Sequence, residues 1–197
     1  LRGKYHLDYP NLEVRAALTP LLLGFDEPLE NPLRQATQAK AALAAFLAKD
    51  ASLFSETFGA VLADIPYNLH LSYEAYYQLV FCQTLVLAGQ AVDLERPSGE
   101  GAPDAVVCHE ATGEVFVVEI KYRQDKADLK RLLQKAMTRI EEKKYALKFR
   151  GAAKAIYKTA LAVAGRTDVA IAFEEAPNWR LEESPAGHVV QRTGPSA

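Results

Sequence analysis

The run "VFVVEIKYR", residues 115–123, decides the fold. Side chains on a strand alternate between its two faces. Phe116, Val118, Ile120 and Tyr122 therefore share a core face, and Val115, Val117, Glu119 and Lys121 share the other. The second face changes from apolar to charged partway along, the pattern of a strand whose end runs out of the core into a cleft. Read alone, Glu119 and Lys121 are a same-face ion pair at an exposed strand end, worth about 0–1 kcal/mol.

Around this strand the chain divides by period. Residues 11–90 read as mostly helical. "NLEVRAALTPLLLGF" has Asn11 as N-cap and Pro20 as its break. "NPLRQATQAKAALAAFLAKD" sets Leu33, Thr37, Ala41, Ala44 and Ala48 at helical spacing. "SLFSETFGAVLADIP" ends at or before Pro66, and "SYEAYYQLVFCQTLVLAG" runs from Ser72 as N-cap to Gly89. In this last helix Tyr73, Tyr76, Tyr77 and Phe81 are expected to pack in the core. After Gly89 the period shortens. "QAVDLERP", "APDAVVCHE" and "EVFVVEIKYR" read as strands divided by "PSGEG" and "ATGE". An amphipathic helix follows from about Lys126 to Phe149, with Leu129, Leu132, Leu133, Ala136, Ile140 and Leu147 as its stripe. "KTALAVAG" and "VAIAFEE" close the pattern as two strands joined by "RTD". Helices, three strands, a helix and two strands make an α/β fold with a mixed sheet. The expected organisation is a helical portion over 1–70 packed on the core, a core over 71–176 and an irregular tail over 177–197.

Composition narrows the functional classes. With 197 residues, 49% of them hydrophobic, the chain can bury a sizeable core. No apolar stretch reaches the roughly 20 residues of a bilayer span, and no signal peptide is seen. Cys82 and Cys108 give neither a disulfide scaffold nor a zinc site, which favours a reducing cytoplasm. A net charge of −2 argues against coating nucleic acid non-specifically. No phosphate-binding G-x-x-x-x-G-K-S/T loop is present, so ATP hydrolysis by these residues is not expected. The start at Leu1 suggests an excised domain of a longer protein.

Three carboxylates and a lysine can meet in this layout. Asp104 opens the second strand, Glu119 and Lys121 lie near the end of the third, and Glu74 lies in the first turns of the helix before the sheet. Hard divalent cations take oxygen ligands and keep several waters. Asp104, Glu119 and the carbonyl of Ile120 would supply such a set for Mg²⁺ or Mn²⁺. Lys121 could then orient an attacking water or offset phosphate charge. Residues 125–150 carry nine cations against four acids. A solvated face is the ordinary reading of such a run. Its position directly after the charged strand makes Lys126, Lys130, Lys135 and Arg139 candidates for phosphate contact.

"PD", then fourteen residues, then "EIK" resembles the PD-(D/E)XK nuclease superfamily. The upstream glutamate in "YEAYYQLVF" and the helix ending "IEEKKYALKF" narrow the likeness, as do "YPNLEVR" and "DIPYNLHLSYEAYY". They are similar to a bacterial and archaeal branch in which the nuclease-like domain follows an AAA-type ATPase domain. The resemblance implies a restriction-endonuclease-like core, a four-stranded mixed sheet flanked by helices, and Mg²⁺-dependent phosphodiester hydrolysis. It implies Glu74, Asp104, Glu119 and Lys121 as the active-site set, nucleic acid as substrate and an upstream ATPase domain as partner. Two positions depart from the branch. "GAPD" has no arginine before Asp104, and Arg139 stands where the branch often has glutamine before the isoleucine of "IEEKKY". A catalytically idle nucleic-acid-binding module and a protein-interaction domain remain alternative readings.

Overall fold

The computed structural model describes residues 32–94, 101–126 and 128–177. The expected helix over 11–25 and the tail beyond Pro177 lie outside them. Three helices come first: α1 (Pro32–Ala48), α2 (Ala51–Ala63) and α3 (Glu74–Leu87), with a 3₁₀ turn at Tyr67–Leu69. Then come β1 (Val92–Leu94), β2 (Ala105–His109), β3 (Glu114–Arg123) and α4 (Leu129–Glu142). A 3₁₀ turn at Tyr145–Phe149, β4 (Ala155–Ala164) and β5 (Asp168–Glu175) complete the order.

The five strands form one sheet in the order β1-β2-β3-β4-β5. β3 and β4 pair in parallel, with α4 in the crossover, and the other pairs are antiparallel. The fold is a mixed α/β sheet with helices on both faces, built from the five strands that the spacing predicts. This explains why β3 reads as a continuous apolar run, since a strand covered on both sides has no solvent face. Val115 through Ile120 are all buried.

Each face of the sheet closes a separate apolar cluster. Against α1, α2 and α3 lie Phe116, Val118 and Ile120, with Leu161 and Val163 from β4. Phe46 is the hub of this side, its ring 4.8 Å from Phe116 and 5.7 Å from Phe81. Against α4 lie Val106, Val117, Ile156 and Ala160, which meet Ala136, Met137 and Ile140. α4 is pinned to the sheet at its end by Lys158, which is buried and donates to Glu141 at 2.7 Å and to Glu174.

Several expected details differ. α4 ends at Glu142, with Lys144 in a left-handed conformation (φ 52°) that turns the chain into the 3₁₀ segment. Leu147 consequently leaves the stripe and is exposed, while Tyr145, Ala146 and Phe149 turn inward. The buried face of α1 is Ala39, Ala42, Ala45 and Phe46, and Thr37, Ala41, Ala44 and Ala48 face solvent. Phe46 sets that rotation, because one large ring outweighs several alanines in buried area. Tyr73, not Ser72, is the N-cap of α3, and it is exposed rather than core. Tyr76, Tyr77 and Phe81 pack inside as expected.

Candidate active site

The candidate site forms where β3 outruns its neighbour. β2 begins at Ala105, which pairs with Val118. Beyond that pair, β3 backbone groups that face β2 have no strand to bond, and such groups need other partners. Two carboxylates supply them. Asp104 Oδ2 accepts from the Ile120 N–H at 2.7 Å, and Glu74 Oε2 accepts from the Tyr122 N–H at 3.3 Å. Gln78 on α3 steadies the approach by donating to the Asp104 carbonyl at 2.6 Å. The unpaired strand end thus draws Asp104 and Glu74 to Glu119 and Lys121.

Lys121 sits at the centre of this arrangement. Its ammonium donates to Glu74 Oε1 and Glu119 Oε1, both at 2.9 Å, and to the Ile120 carbonyl at 2.8 Å. An ammonium has three donors, and all three are used. Burial works against its charge, but the bonds to Glu119 and Glu74 outweigh that and leave Lys121 above the usual lysine range.

Glu119 does not emerge into an open cleft as the alternation suggested. Its side chain is 1% exposed, covered by Lys121 and by Arg139, whose Nε reaches the same Oε1 at 2.7 Å. Its other oxygen, Oε2, is buried with no hydrogen-bond partner among the described residues. Burial, with the neighbouring charge of Asp104, pushes the Glu119 carboxyl up to about 7. Asp104 is raised for the same first reason, loss of hydration, reinforced by Glu74 and opposed by the Ile120 N–H and Lys121.

These observations fit a hard divalent cation. Among the described residues no three His, Cys, Asp or Glu side chains gather as ligands. The oxygen set is two carboxylates and a backbone carbonyl, which suffices for an ion that keeps its waters. Asp104, Glu119 and the Ile120 carbonyl would hold it. A buried carboxylate oxygen without a partner is costly unless something occupies it. Glu119 Oε2 is such an atom.

The structure brings Glu74, Asp104, Glu119, Ile120 and Lys121 together, and adds Arg139 through its ion pair. Lys126, Lys130 and Lys135 are exposed and stand apart from this cluster. Lys135 lies one turn before Arg139 on the same side of α4, with Arg131 a turn earlier. Lys130, nine residues before Arg139, projects from the opposite side. Gln78 and Tyr145 were not foreseen. The Tyr145 hydroxyl is buried beside the Arg139 guanidinium, which can donate to it, and within reach of the charges of Glu119 and Asp104. It also lies where a side chain on Gly101 would meet it at 3.3 Å. Gln78 could have been suspected from sitting one turn after Glu74, whereas nothing local marks Tyr145.

Residues 72–173 match the sequence profile of the PD-(D/E)XK nuclease superfamily. The chain is also 32% identical over 160 residues to an uncharacterized protein in the vnfD 5′ region of Azotobacter chroococcum mcd 1. That match takes in 78% of this chain and 29% of the relative, so the chain spans less than a third of that protein's length. With a mixed sheet flanked by helices and a profile match over more than half of its residues, the chain belongs to the PD-(D/E)XK nuclease superfamily.

Proposed function

We propose that this chain is a nuclease domain that hydrolyses phosphodiester bonds of DNA or RNA with Mg²⁺ or Mn²⁺. The observation that carries the reading is the meeting of Asp104, Glu119, the Ile120 carbonyl and Lys121 at one strand end, around a buried carboxylate oxygen with no partner. A divalent ion held there supplies a Lewis acid for the phosphate and a more acidic bound water. Lys121, released from the Glu119 and Ile120 oxygens that such an ion would take, would orient the attacking water and offset charge growing on the phosphate. Glu74 keeps Lys121 charged and aimed at the strand end. Asp104 ties its carboxylate to the β3 backbone, which fixes the ligand geometry before substrate arrives. Arg139 and the exposed Lys135 offer cations along one side of α4 for the substrate backbone, with Lys126 and Lys130 as more distant contacts.

An ATPase domain on the same polypeptide and a cytoplasmic setting belong to this proposal. Its supports are the likeness of "YPNLEVR" and "DIPYNLHLSYEAYY" to the ATPase-linked branch and the greater length of the Azotobacter relative. Among the described residues no helix is long and apolar enough to cross a membrane.

The test is cleavage of end-labelled DNA and RNA by purified protein with Mg²⁺ or Mn²⁺. Lys121→Ala and Asp104→Asn should each lose about 100-fold or more in rate, the scale of removing a transition-state charge stabiliser. Their thermal unfolding should stay cooperative. Absence of both cleavage and ion binding in the unaltered protein would end the reading. One observation favours an idle nucleic-acid-binding module instead, namely that Lys121 and Arg139 both occupy Glu119 Oε1. Salt-dependent binding by a protein that never cleaves, equal in Asp104→Asn, would establish that alternative.

A further inference from the structure

The site carries an arginine where charge balance would otherwise leave room for another cation. Glu74, Asp104 and Glu119 face Lys121 and Arg139, which leaves one net negative charge when all are ionised. One divalent ion turns that into one positive charge, and the single negative charge of a phosphodiester neutralises it. A second divalent ion would leave two positive charges uncompensated even with substrate in place. A neutral side chain at 139 would change the sum, because the empty site would then carry two negative charges and accommodate further cation.

Two contacts show that Arg139 is built into the site rather than lying on a solvated helix face. Its Nε meets Glu119 Oε1 at 2.7 Å, although Glu119 is 1% exposed and the arginine side chain is 51% exposed. The bond through Nε leaves the outer edge of the guanidinium available, and a planar fork is suited to phosphate oxygens. Beside it lies the buried Tyr145 hydroxyl, to which the Arg139 guanidinium can donate, within reach of the charges of both candidate ligand carboxylates.

We propose that Arg139, backed by Tyr145, stands in for a second metal ion, so that the site takes one divalent cation and Arg139 presents its outer edge to the substrate phosphate. The assignment rests on the nuclease reading above and deepens it by fixing the cation count. Arg139 is on this view a positioning and charge-supplying residue whose effect on metal is separable from any effect on turnover.

The experiment is calorimetric titration of the full chain with Mn²⁺ alone, for the unaltered protein, Arg139→Gln, Arg139→Lys and Lys143→Gln. Lys143 caps α4 and removes the same charge from the same helix without a side-chain contact to the carboxylates. One ion should bind the unaltered protein. Arg139→Gln should bind its first ion about tenfold or more tightly, as expected when a like charge within a few ångströms is removed, and take up a second. Arg139→Lys, which keeps the charge, and Lys143→Gln should each bind one ion with affinity near that of the unaltered protein. Two ions on the unaltered protein overturn the inference while leaving the nuclease reading intact. So does one ion whose affinity is indifferent to Arg139→Gln. No ion on any of the four proteins overturns both.

Discussion

Glu119 is a buried acid, with two cations on one oxygen and no hydrogen-bond partner for the other among the described residues. Burying a carboxylate costs several kcal/mol, and partners repay this only when every lone pair is satisfied. The incomplete satisfaction explains why its carboxyl is held up to about 7. Its pH signature follows from linkage. In the unfolded chain Glu119 titrates near 4.5, so between about 4.5 and about 7 the folded protein holds a proton that the unfolded chain has released. Stability contributed by this group is therefore present at low pH and is lost as pH rises through that window. Glu119→Gln cannot titrate and lacks this slope. Urea unfolding with EDTA present, from pH 4.5 to 8, should show the stability of the unaltered protein falling relative to Glu119→Gln until about pH 7, then running parallel. A relative rise over that range would mean that the ion pairs, rather than burial, govern the group. Strand alternation revealed that Glu119 and Lys121 share a face. It could not reveal that Glu119 is buried, because the covering guanidinium comes from α4, across the sheet–helix interface.

The elements were legible wherever period was strong, and their ends were not. β3, α3 and the β4–β5 pair appear where apolar spacing put them, because those faces are buried and burial enforces spacing. α4 was read seven residues too far at its C-terminal end because its stop is not a glycine. Lys144 serves as the left-handed residue after the C-cap, a position glycine takes with least strain. α1 ends in the same way on Lys49 (φ 60°), where the Asp50 N–H reaches the Ala45 carbonyl at 3.0 Å. The two lysines differ in what else they do. Lys49 donates to Glu114 at 2.9 Å and lies 4.6 Å from the Tyr157 ring centre, so its side chain offsets its backbone strain. The Lys144 side chain is exposed, with no such contact shown. Lys144→Gly should therefore raise unfolding free energy by about 0.5–1 kcal/mol, relief of strain exceeding the added flexibility of the unfolded chain. Lys49→Gly should be neutral or destabilising. Denaturant melts of the two variants check the contrast, and a loss of stability in Lys144→Gly would show that its side chain holds the turn.

At the scale of the molecule, the described helices of the portion over 1–70 share one apolar cluster with the core from 71 onward. Phe46 on α1 and Phe54 and Phe58 on α2 are fully buried in the same cluster as Phe81 of α3 and Phe116 of β3. Phe46 also meets Phe173 of β5 at 5.6 Å. One ring thus ties α1 to both an inner and an edge strand. Loss of a buried phenylalanine side chain costs about 3–5 kcal/mol, a large part of the roughly 5–15 kcal/mol that holds a domain together. A fragment of residues 71–176 would lose Phe46, Phe54, Phe58 and Leu62 at once and expose one whole face of the sheet. The candidate site depends on that face, because α3 carries Glu74 and Gln78 and packs against α1. The fragment should therefore show no cooperative urea transition and no near-ultraviolet circular dichroism, and should bind Mn²⁺ weakly or not at all, whereas the full chain unfolds in one step. A sharp transition in the fragment with the midpoint of the full chain would show that α1 and α2 are an appendage. The sequence pattern could not decide this, since helical period records that a face is buried and not what buries it.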